Sequence, residues 1–255
     1  MSSKDFIRTA FTGRQNLRVF IKYYLKTNDA VMSFKFSRAQ AVLNELSKKF
    51  NIRITPNFNE LIEDIKNLDA VLNKEKKEYG IGGGTKFNNL VLYFLVKKLK
   101  PKIVIETGVA AGVSSYFILK AMHENKKGKL ISIDLPNYTN SKGYINKDGL
   151  VDKVYTPKTK GVGWVVPENF RKNWQLILGD SMKVLPQIKD KIDIFYHDSD
   201  HSYTCMNFEY NWAKKQKIRY VSSDDINSNN AWYDFINKNR LTSINIEGFG
   251  FTKFN

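Results

Sequence analysis

The sequence has few of the residues on which disulfide-linked proteins and cysteine-based metal sites depend. It contains one cysteine, Cys205, and three histidines in 255 residues. A single cysteine excludes both an intrachain disulfide and a zinc site built from several cysteines. The longest uninterrupted apolar run, residues 90–96, is far shorter than the roughly 18 residues that a membrane span needs. No membrane span is therefore expected.

The beginning of the chain also lacks the apolar segment of a secretory signal, so we expect a reducing, cytoplasmic setting. Hydrophobic residues make up 42% of the sequence. With the glycines, this share is typical of a globular protein and excludes disorder over most of the chain.

Acidic residues are scarce relative to basic ones, with 25 against 41 and a net charge of +16. Such an excess attracts nucleic acid, anionic membranes or acidic glycans. Only eight of the basic residues are arginine, whose planar fork is preferred for reading phosphates and bases. Nucleic acid is therefore not an expected partner. A predicted helix around residues 14–26 carries a basic stripe, which we interpret as a solvated face, with an anion-docking surface as the alternative.

A glycine-rich break at residues 80–84 divides the chain into two parts. Residues 1–80 are predicted to form an N-terminal helical extension or cap, with helices over 37–49 and 59–73. The extension is also a candidate oligomerisation arm or lid. Residues 81–255 are predicted to form one domain in which strands and helices alternate.

The second part predicts an α/β fold with a doubly wound, mostly parallel seven-stranded sheet. The predicted strands cover residues 102–107, 129–134, 173–179, 192–197, 218–223, 241–246 and 249–254. In such a sheet, ligands bind at the carboxyl ends of the strands. Residues 135–172 interrupt the alternation and are predicted to be a substrate loop or lid insertion.

The first strand-to-helix junction, residues 106–115, has glycines at Gly108 and Gly112 that let a ligand approach the backbone. The next strand ends in Asp134, whose carboxylate suits the hydroxyls of a ribose. Together these features favour a cofactor that contains adenosine. A structural turn is the simpler interpretation of either feature taken singly.

The same junction departs from the dinucleotide fingerprint, because Ala110 and Val113 stand where that motif has glycines. This departure disfavours a nicotinamide cofactor and is tolerated by a cofactor without phosphates. Glu106 adds a negative charge that opposes a pyrophosphate and favours a sulfonium.

Acidic residues accumulate at the later junctions. Asp198, Asp224 and Asp225 follow two strands that are expected to be neighbours, and unpaired carboxylates brought together there would repel each other. A hard cation such as Mg²⁺ offsets that repulsion. Helix capping is the alternative, and it accounts for one carboxylate at each junction.

Five segments in this order resemble the class I S-adenosylmethionine-dependent methyltransferases. They are ETGVAAGVSS at 106–115, ISID at 131–134, LILGDS at 176–181, IDIFYHDSDHSY at 192–203 and VSSDDI at 221–226. Within that class, the sequence is similar to the metal-dependent sugar and macrolide O-methyltransferases, also in the segment VGWVVP at 162–167. The resemblance covers residues 87–255 and implies a Rossmann-like methyltransferase fold.

The resemblance also implies roles for individual residues. It places Glu106, Gly108, Gly112 and Ser114 at the methionine and ribose end of S-adenosylmethionine, Asp134 on the ribose hydroxyls, and Asp180 and Ser181 at the adenine. It assigns a divalent cation such as Mg²⁺ to Asp198, Asp224 and Asp225. It makes Asp200 the general base, with His201 as a rival. Catechol-type relatives have Asn where this chain has Asp225, which favours a sugar over a catechol.

The predicted function is therefore the transfer of a methyl group from S-adenosylmethionine to a hydroxyl of a sugar, a glycan or a small hydroxylated metabolite, assisted by a divalent metal. One alternative is a metal-independent N- or O-methyltransferase of small molecules. A second alternative is an anion- or RNA-binding module with a vestigial site. The expected partners are the small-molecule or glycan acceptor and a second copy of the chain, held through the N-terminal helices.

Overall fold

The computed structural model describes residues 30–79, 84–136, 144–149, 151–152, 156 and 159–254, together with the isolated positions 18, 21 and 22. The predicted basic helix around residues 14–26 lies largely outside these residues, as does most of the glycine-rich break. In the described part of the chain, no helix is both long enough and apolar enough to cross a membrane.

Among the described residues, three long helices precede the sheet. They are α1 (Ala30–Phe50), α2 (Ile62–Tyr79), which follows a 3-10 turn at Phe58–Leu61, and α3 (Phe87–Leu99). The α1 helix begins before the predicted start because Met32 and Phe36 extend its buried side toward the N-terminus.

The second part of the chain forms the expected sheet. The strands are β1 (Ile103–Thr107), β2 (Lys129–Asp134), the short pair β3 (Tyr144–Ile145) and β4 (Val151–Asp152), then β5 (Trp174–Leu178), β6 (Ile194–His197), β7 (Tyr220–Ser223), β8 (Ser243–Ile246) and β9 (Phe249–Lys253). The main sheet has the order β5-β2-β1-β6-β7-β9-β8. Its first five strands are parallel, and β9 is antiparallel to both neighbours. The predicted mostly parallel, seven-stranded sheet is confirmed.

Helices connect the parallel strands. They are α4 (Val113–Asn125), α5 (Glu168–Arg171), α6 (Ser181–Val184), α7 (Tyr203–Lys215) and α8 (Ala231–Lys238). The α6 helix is shorter than the predicted span, which runs to residue 188, because Pro186 follows it. Proline has no N–H to continue the helical ladder, and a 3-10 turn at Leu185–Gln187 takes its place.

Both faces of the sheet are covered. Alternate residues of each central strand enter opposite hydrophobic clusters: Val104 and Ile194 face α1, α3 and α4, whereas Ile105 and Phe195 face α7 and α8. Apolar burial on both faces explains why these strands read as continuous apolar runs in the sequence.

The N-terminal helices belong to the first of these clusters. Phe36 of α1 stacks on Phe58 with ring centroids 4.9 Å apart, and Phe58 meets Phe94 of α3 edge to face at 5.2 Å. Arg38 forms a 2.5 Å ion pair with Glu247, in the turn between β8 and β9. The division at residue 80 stays a prediction, but the described helices on either side of it share one hydrophobic core.

Replacing Phe36, which is fully buried, tests whether the N-terminal helices contribute to the stability of the sheet domain. Phe36→Ala should lower the free energy of unfolding by about 3–5 kcal/mol, because it removes a large ring and leaves a cavity. The measurement is denaturant unfolding followed by circular dichroism. Val31→Ala, on the same helix but 57% exposed, should change stability by less than about 0.5 kcal/mol. Equal stability of the two variants would contradict this view of the core.

Candidate active site

The loop after β1 is held in shape by the acidic residue at the end of β2. One carboxylate oxygen of Asp134 accepts hydrogen bonds from the backbone N–H groups of Val109 and Ala110, at 2.7 and 3.0 Å. Burial raises the pKa of Asp134, and the two N–H groups oppose that rise. The carboxylate predicted to bind ribose therefore lies against the predicted cofactor loop.

The glycines of this loop are needed for close approach. Gly108 has a φ of +81°, and a Cβ there would lie 1.9 Å from the carbonyl oxygen of Asp198. Gly112 has a φ of +94°, and its Cβ would meet Gly163 at 2.8 Å. Ala110 adopts the same left-handed region, with a φ of +47°, at a cost of about 1–2 kcal/mol for a residue with a Cβ. The loop thus keeps a glycine-like shape where the dinucleotide fingerprint is broken.

Glu106 is completely enclosed. Its Oε2 atom accepts hydrogen bonds from Ser115 at 2.6 Å and from Ser132 at 2.7 Å. This carboxylate ties the start of α4 to β2, so we expect it to position the loop rather than to touch a ligand. Ser114, in the first turn of α4, is also buried.

The end of β5 is occupied by a helix cap. Asp180 Oδ1 accepts a hydrogen bond from the backbone N–H of Met182 at 3.0 Å, and Oδ2 accepts one from Lys147 Nζ at 3.0 Å. Ser181 is buried beside Cys205, with Oγ and Sγ 3.8 Å apart. The capping role of Asp180 is thus present, and its predicted contact with adenine stays a prediction.

The acidic residues after β6 and β7 are at neighbouring strand ends, as expected. Asp224 is buried, and its two carboxylate oxygens accept hydrogen bonds from Lys86 Nζ, at 2.7 Å, and from Asn88 Nδ2. Lys86 Nζ also lies 3.8 Å from Asp225, whose side chain is 51% exposed. Asp198 is close by: burial, and next the Asp224 carboxylate, raise its pKa well above the ordinary value.

These acids do not fit the divalent ion that the resemblance implies. The Lys86 ammonium and the Asn88 amide already engage both oxygens of Asp224. Among the residues that the structure describes, no three His, Cys, Asp or Glu side chains are arranged to hold a metal ion. We therefore derive no chemical step through a metal.

His201 faces the same acids. Its Nε2 atom is shielded from solvent, has no hydrogen-bond partner among the described residues, and lies 4.0 Å from Asp198 Oδ1. Burial, and then the neighbouring His197, lower the pKa of His201 to about 4. The ring is therefore neutral at physiological pH, and the same burial makes it a weaker base than an exposed histidine.

The rival base, Asp200, takes part in the turn just before α7, whose N-cap is Ser202. It accepts hydrogen bonds from the backbone N–H of Ser202 at 2.8 Å and from that of Lys147 at 3.1 Å. These contacts favour His201 over Asp200 as the proton acceptor.

A second buried carboxylate lies behind the site. Glu209 of α7 accepts hydrogen bonds from Thr107 at 2.6 Å and Ser199 at 3.0 Å, and its Oε2 atom lies 2.7 Å from His197 Nδ1. The rings of His197 and His201 are 5.2 Å apart. Glu209 thus fixes the ends of β1 and β6 and orients the first of two adjacent histidines.

The sequence analysis missed Lys86, Asn88 and Glu209. A helix that precedes a parallel strand runs back along the sheet, so the start of α3 lies at the same edge as the strand ends. That topology, together with a basic residue two positions after the glycine-rich break, was the available signal for Lys86. Glu209 offers no comparable signal, because an acidic residue within a helix is ordinarily exposed.

Residues 105–219 match the family described as a methyltransferase domain. The match confirms the expectation that the chain is a methyltransferase, and it covers the strand ends that carry Asp134, Asp180 and Asp198. No curated protein matches the sequence.

Several solved structures are similar in fold. Cofactor-bound Rv0187 from MTB has a TM-score of 0.54 and 15% identity, over 78% of this chain and 98% of that one. The O-methyltransferase from Bacillus cereus in complex with SAH has a TM-score of 0.53 and 15% identity, over 84% and 97%. The O-methyltransferase TomG from Streptomyces achromogenes, in complex with SAM, has a TM-score of 0.50 and 13% identity, over 83% and 94%. At these identities, the similarity shows a shared fold.

Replacing Glu209 tests its role in joining the strand ends. Glu209→Gln should lower the free energy of unfolding at neutral pH by about 1.5–3 kcal/mol, the usual value of hydrogen bonds to a charged group. Burial opposes ionisation, but His197 lowers the pKa of Glu209 overall. The added stability is therefore present above the ordinary pKa of about 4.3 and is lost as the pH falls through the lower folded value.

Urea unfolding at several pH values measures this effect. The stability difference between the wild type and Glu209→Gln should shrink as the pH falls below about 4. Glu168→Gln, at a side chain that is 93% exposed, should remain within about 0.5 kcal/mol of the wild type. A difference that grows at low pH would be inconsistent with this role for Glu209.

Proposed function

We propose that the protein transfers the methyl group of S-adenosylmethionine to a hydroxyl oxygen of a small polyhydroxylated acceptor such as a sugar. The proposal rests on the arrangement of residues at one edge of the sheet. There the loop at residues 108–112 rests on Asp134, and directly beside it His201 and Asp198 meet the Lys86–Asp224 pair. A place for an adenosine-containing cofactor thus adjoins a place for an acceptor and a base.

The cofactor is assigned to the ends of β1, β2 and β5. The loop from Gly108 to Gly112 is assigned to the methionine part, and Asp134 offers a carboxylate to the ribose hydroxyls. Asp180 and Ser181 remain the predicted neighbours of the adenine. Two similar structures, the Bacillus cereus O-methyltransferase in complex with SAH and TomG in complex with SAM, support this choice of cofactor.

The chemical step is an in-line displacement at the sulfonium. The acceptor oxygen forms a bond to the methyl carbon as the bond from that carbon to sulfur breaks, leaving S-adenosylhomocysteine. As the new bond forms, the hydroxyl proton passes to the neutral ring of His201, whose Nε2 atom lies 4.0 Å from Asp198 Oδ1. This side of the site therefore binds and orients the hydroxyl and removes its proton.

A hydroxyl-rich acceptor suits the polar groups at this edge. Lys86 and Asp225 are each about half exposed, so a donor and an acceptor of hydrogen bonds both face solvent beside His201. A vicinal diol offers matching groups to such a pair. Metal assistance, a second copy held through the N-terminal helices and a cytoplasmic location remain predictions from the sequence.

Cofactor binding tests the first half of this proposal. Isothermal titration with S-adenosylhomocysteine should show binding to the wild type, and Asp134→Asn should weaken it about 10–100-fold, because charged hydrogen bonds to the ribose are lost. Asp190→Asn, at an exposed acidic residue, should leave the affinity unchanged. A wild type that binds no S-adenosylhomocysteine, or binds NAD instead, would overturn the assignment.

Proton removal tests the second half. His201→Gln should lower turnover about 10²–10⁴-fold, the usual contribution of a general base, while affinity for S-adenosylhomocysteine stays within about threefold. The measurement is S-adenosylhomocysteine formed from a panel of sugars and other hydroxylated acceptors. Asp200→Asn should lose much less activity. If Asp200→Asn lost more turnover than His201→Gln, Asp200 would be the base instead.

A further inference from the structure

A lysine that follows the glycine-rich break reaches into the acidic cluster. Lys86 Nζ lies 2.7 Å from Asp224 Oδ2 and 3.8 Å from Asp225 Oδ2. A lysine ammonium group thus lies against two of the three carboxylates to which the resemblance assigns a metal, those of Asp224 and Asp225.

The backbone that delivers this lysine is fixed on its C-terminal side. The N–H of Lys86 donates a hydrogen bond to Asn89 Oδ1 at 2.7 Å, and Asn89 lies on the buried helix α3. Asn88, in the first turn of the same helix, donates to the other oxygen of Asp224. One helix start therefore supplies a partner for each oxygen of that carboxylate.

The N-terminal helices fix the other side of the lysine. Asp69 of α2 accepts hydrogen bonds from the N–H of Thr85 at 2.7 Å and from its hydroxyl at 2.6 Å. Lys35 of α1 binds both Asp69 at 2.5 Å and the Thr85 hydroxyl at 2.8 Å. The residue before Lys86 is thus anchored to two helices outside the matched methyltransferase segment.

We propose that Lys86 is the built-in cation of the acceptor site: its ammonium neutralises Asp224 and Asp225 in place of a divalent metal ion, and its exposed side holds the acceptor hydroxyl. The inference rests on the proposed function, because it concerns the acceptor side of the same site. An ammonium near the oxygen stabilises the negative charge that develops there as the proton leaves.

A charge count supports one cation rather than two. A divalent ion and the ammonium would compete for the same oxygens of Asp224, and two positive groups within one coordination distance repel each other. Removing the ammonium leaves buried carboxylates without a counter-ion, which is costly. The lysine-free site should therefore acquire affinity for a hard divalent cation that the wild type lacks.

Mn²⁺ binding tests this directly and requires no knowledge of the acceptor. The probe is Mn²⁺ alone, followed by electron paramagnetic resonance of the free ion, with the full-length chain. The wild type should take up no stoichiometric Mn²⁺ at submillimolar concentration. Lys86→Met should bind one equivalent of Mn²⁺, with an affinity at least about tenfold higher than that of the wild type. The double variant Lys86→Met/Asp224→Asn should lose that binding again.

Two further variants serve as controls. Lys86→Arg keeps the charge and should exclude Mn²⁺ as the wild type does. Lys97→Met removes another lysine that bridges two carboxylates, those of Glu60 and Glu124, but Lys120 still pairs with Glu124. It should gain no Mn²⁺ site. If Lys86→Met does not fold, as judged by circular dichroism, Lys86→Gln takes its place.

The outcomes separate this inference from the proposed function. One equivalent of Mn²⁺ on the wild type, lost in Asp224→Asn, would overturn the inference and support the metal site implied by the resemblance. If neither Lys86→Met nor Lys86→Gln bound Mn²⁺, the inference would also be overturned. S-adenosylhomocysteine titrated into the same wild-type sample reports on the proposed function independently, because the cofactor is assigned to β1, β2 and β5.

Discussion

Repulsion between carboxylates at adjacent strand ends is the constraint on which this site depends. A parallel sheet brings the ends of β6 and β7 to one edge, and this chain places Asp198, Asp224 and Asp225 there. Such groups coexist only with a counter-ion close by. Lys86 provides it at 2.7 Å from Asp224. The helices before the sheet therefore have a direct part in the chemistry of the strand ends.

The fold was largely predictable from the sequence, because apolar strands that are buried on both faces leave a strong pattern. The strand at residues 129–134 has the predicted bounds. Local patterns were less informative where backbone chemistry intervenes, as at Pro186, or where burial comes from distant contacts. The early start of α1 depends on Phe36 meeting Phe58, which no local periodicity reveals.

The candidate site was predicted in part. Motif order indicated Asp134 because it ends a strand, and Asp198 and Asp224 because each directly follows one. Sequence could not reveal which oxygens are already occupied, since the pairing of Lys147 with Asp180 and that of Lys86 with Asp224 join residues far apart in the chain. The roles assigned through the resemblance therefore stay predictions, and Lys86 changes the electrostatics on which the metal assignment was based.

The packing of α1 against the last two strands carries a consequence for biosynthesis. Lys49 donates a hydrogen bond to the carbonyl oxygen of Ser243 at 2.9 Å, across 194 positions of the chain. Contacts of such long sequence separation form late and slow folding. While the ribosome is still translating the region in between, the apolar side of α1 has no permanent cover. A nascent chain is then prone to aggregation, and the exposed helix is the segment to which a chaperone would bind.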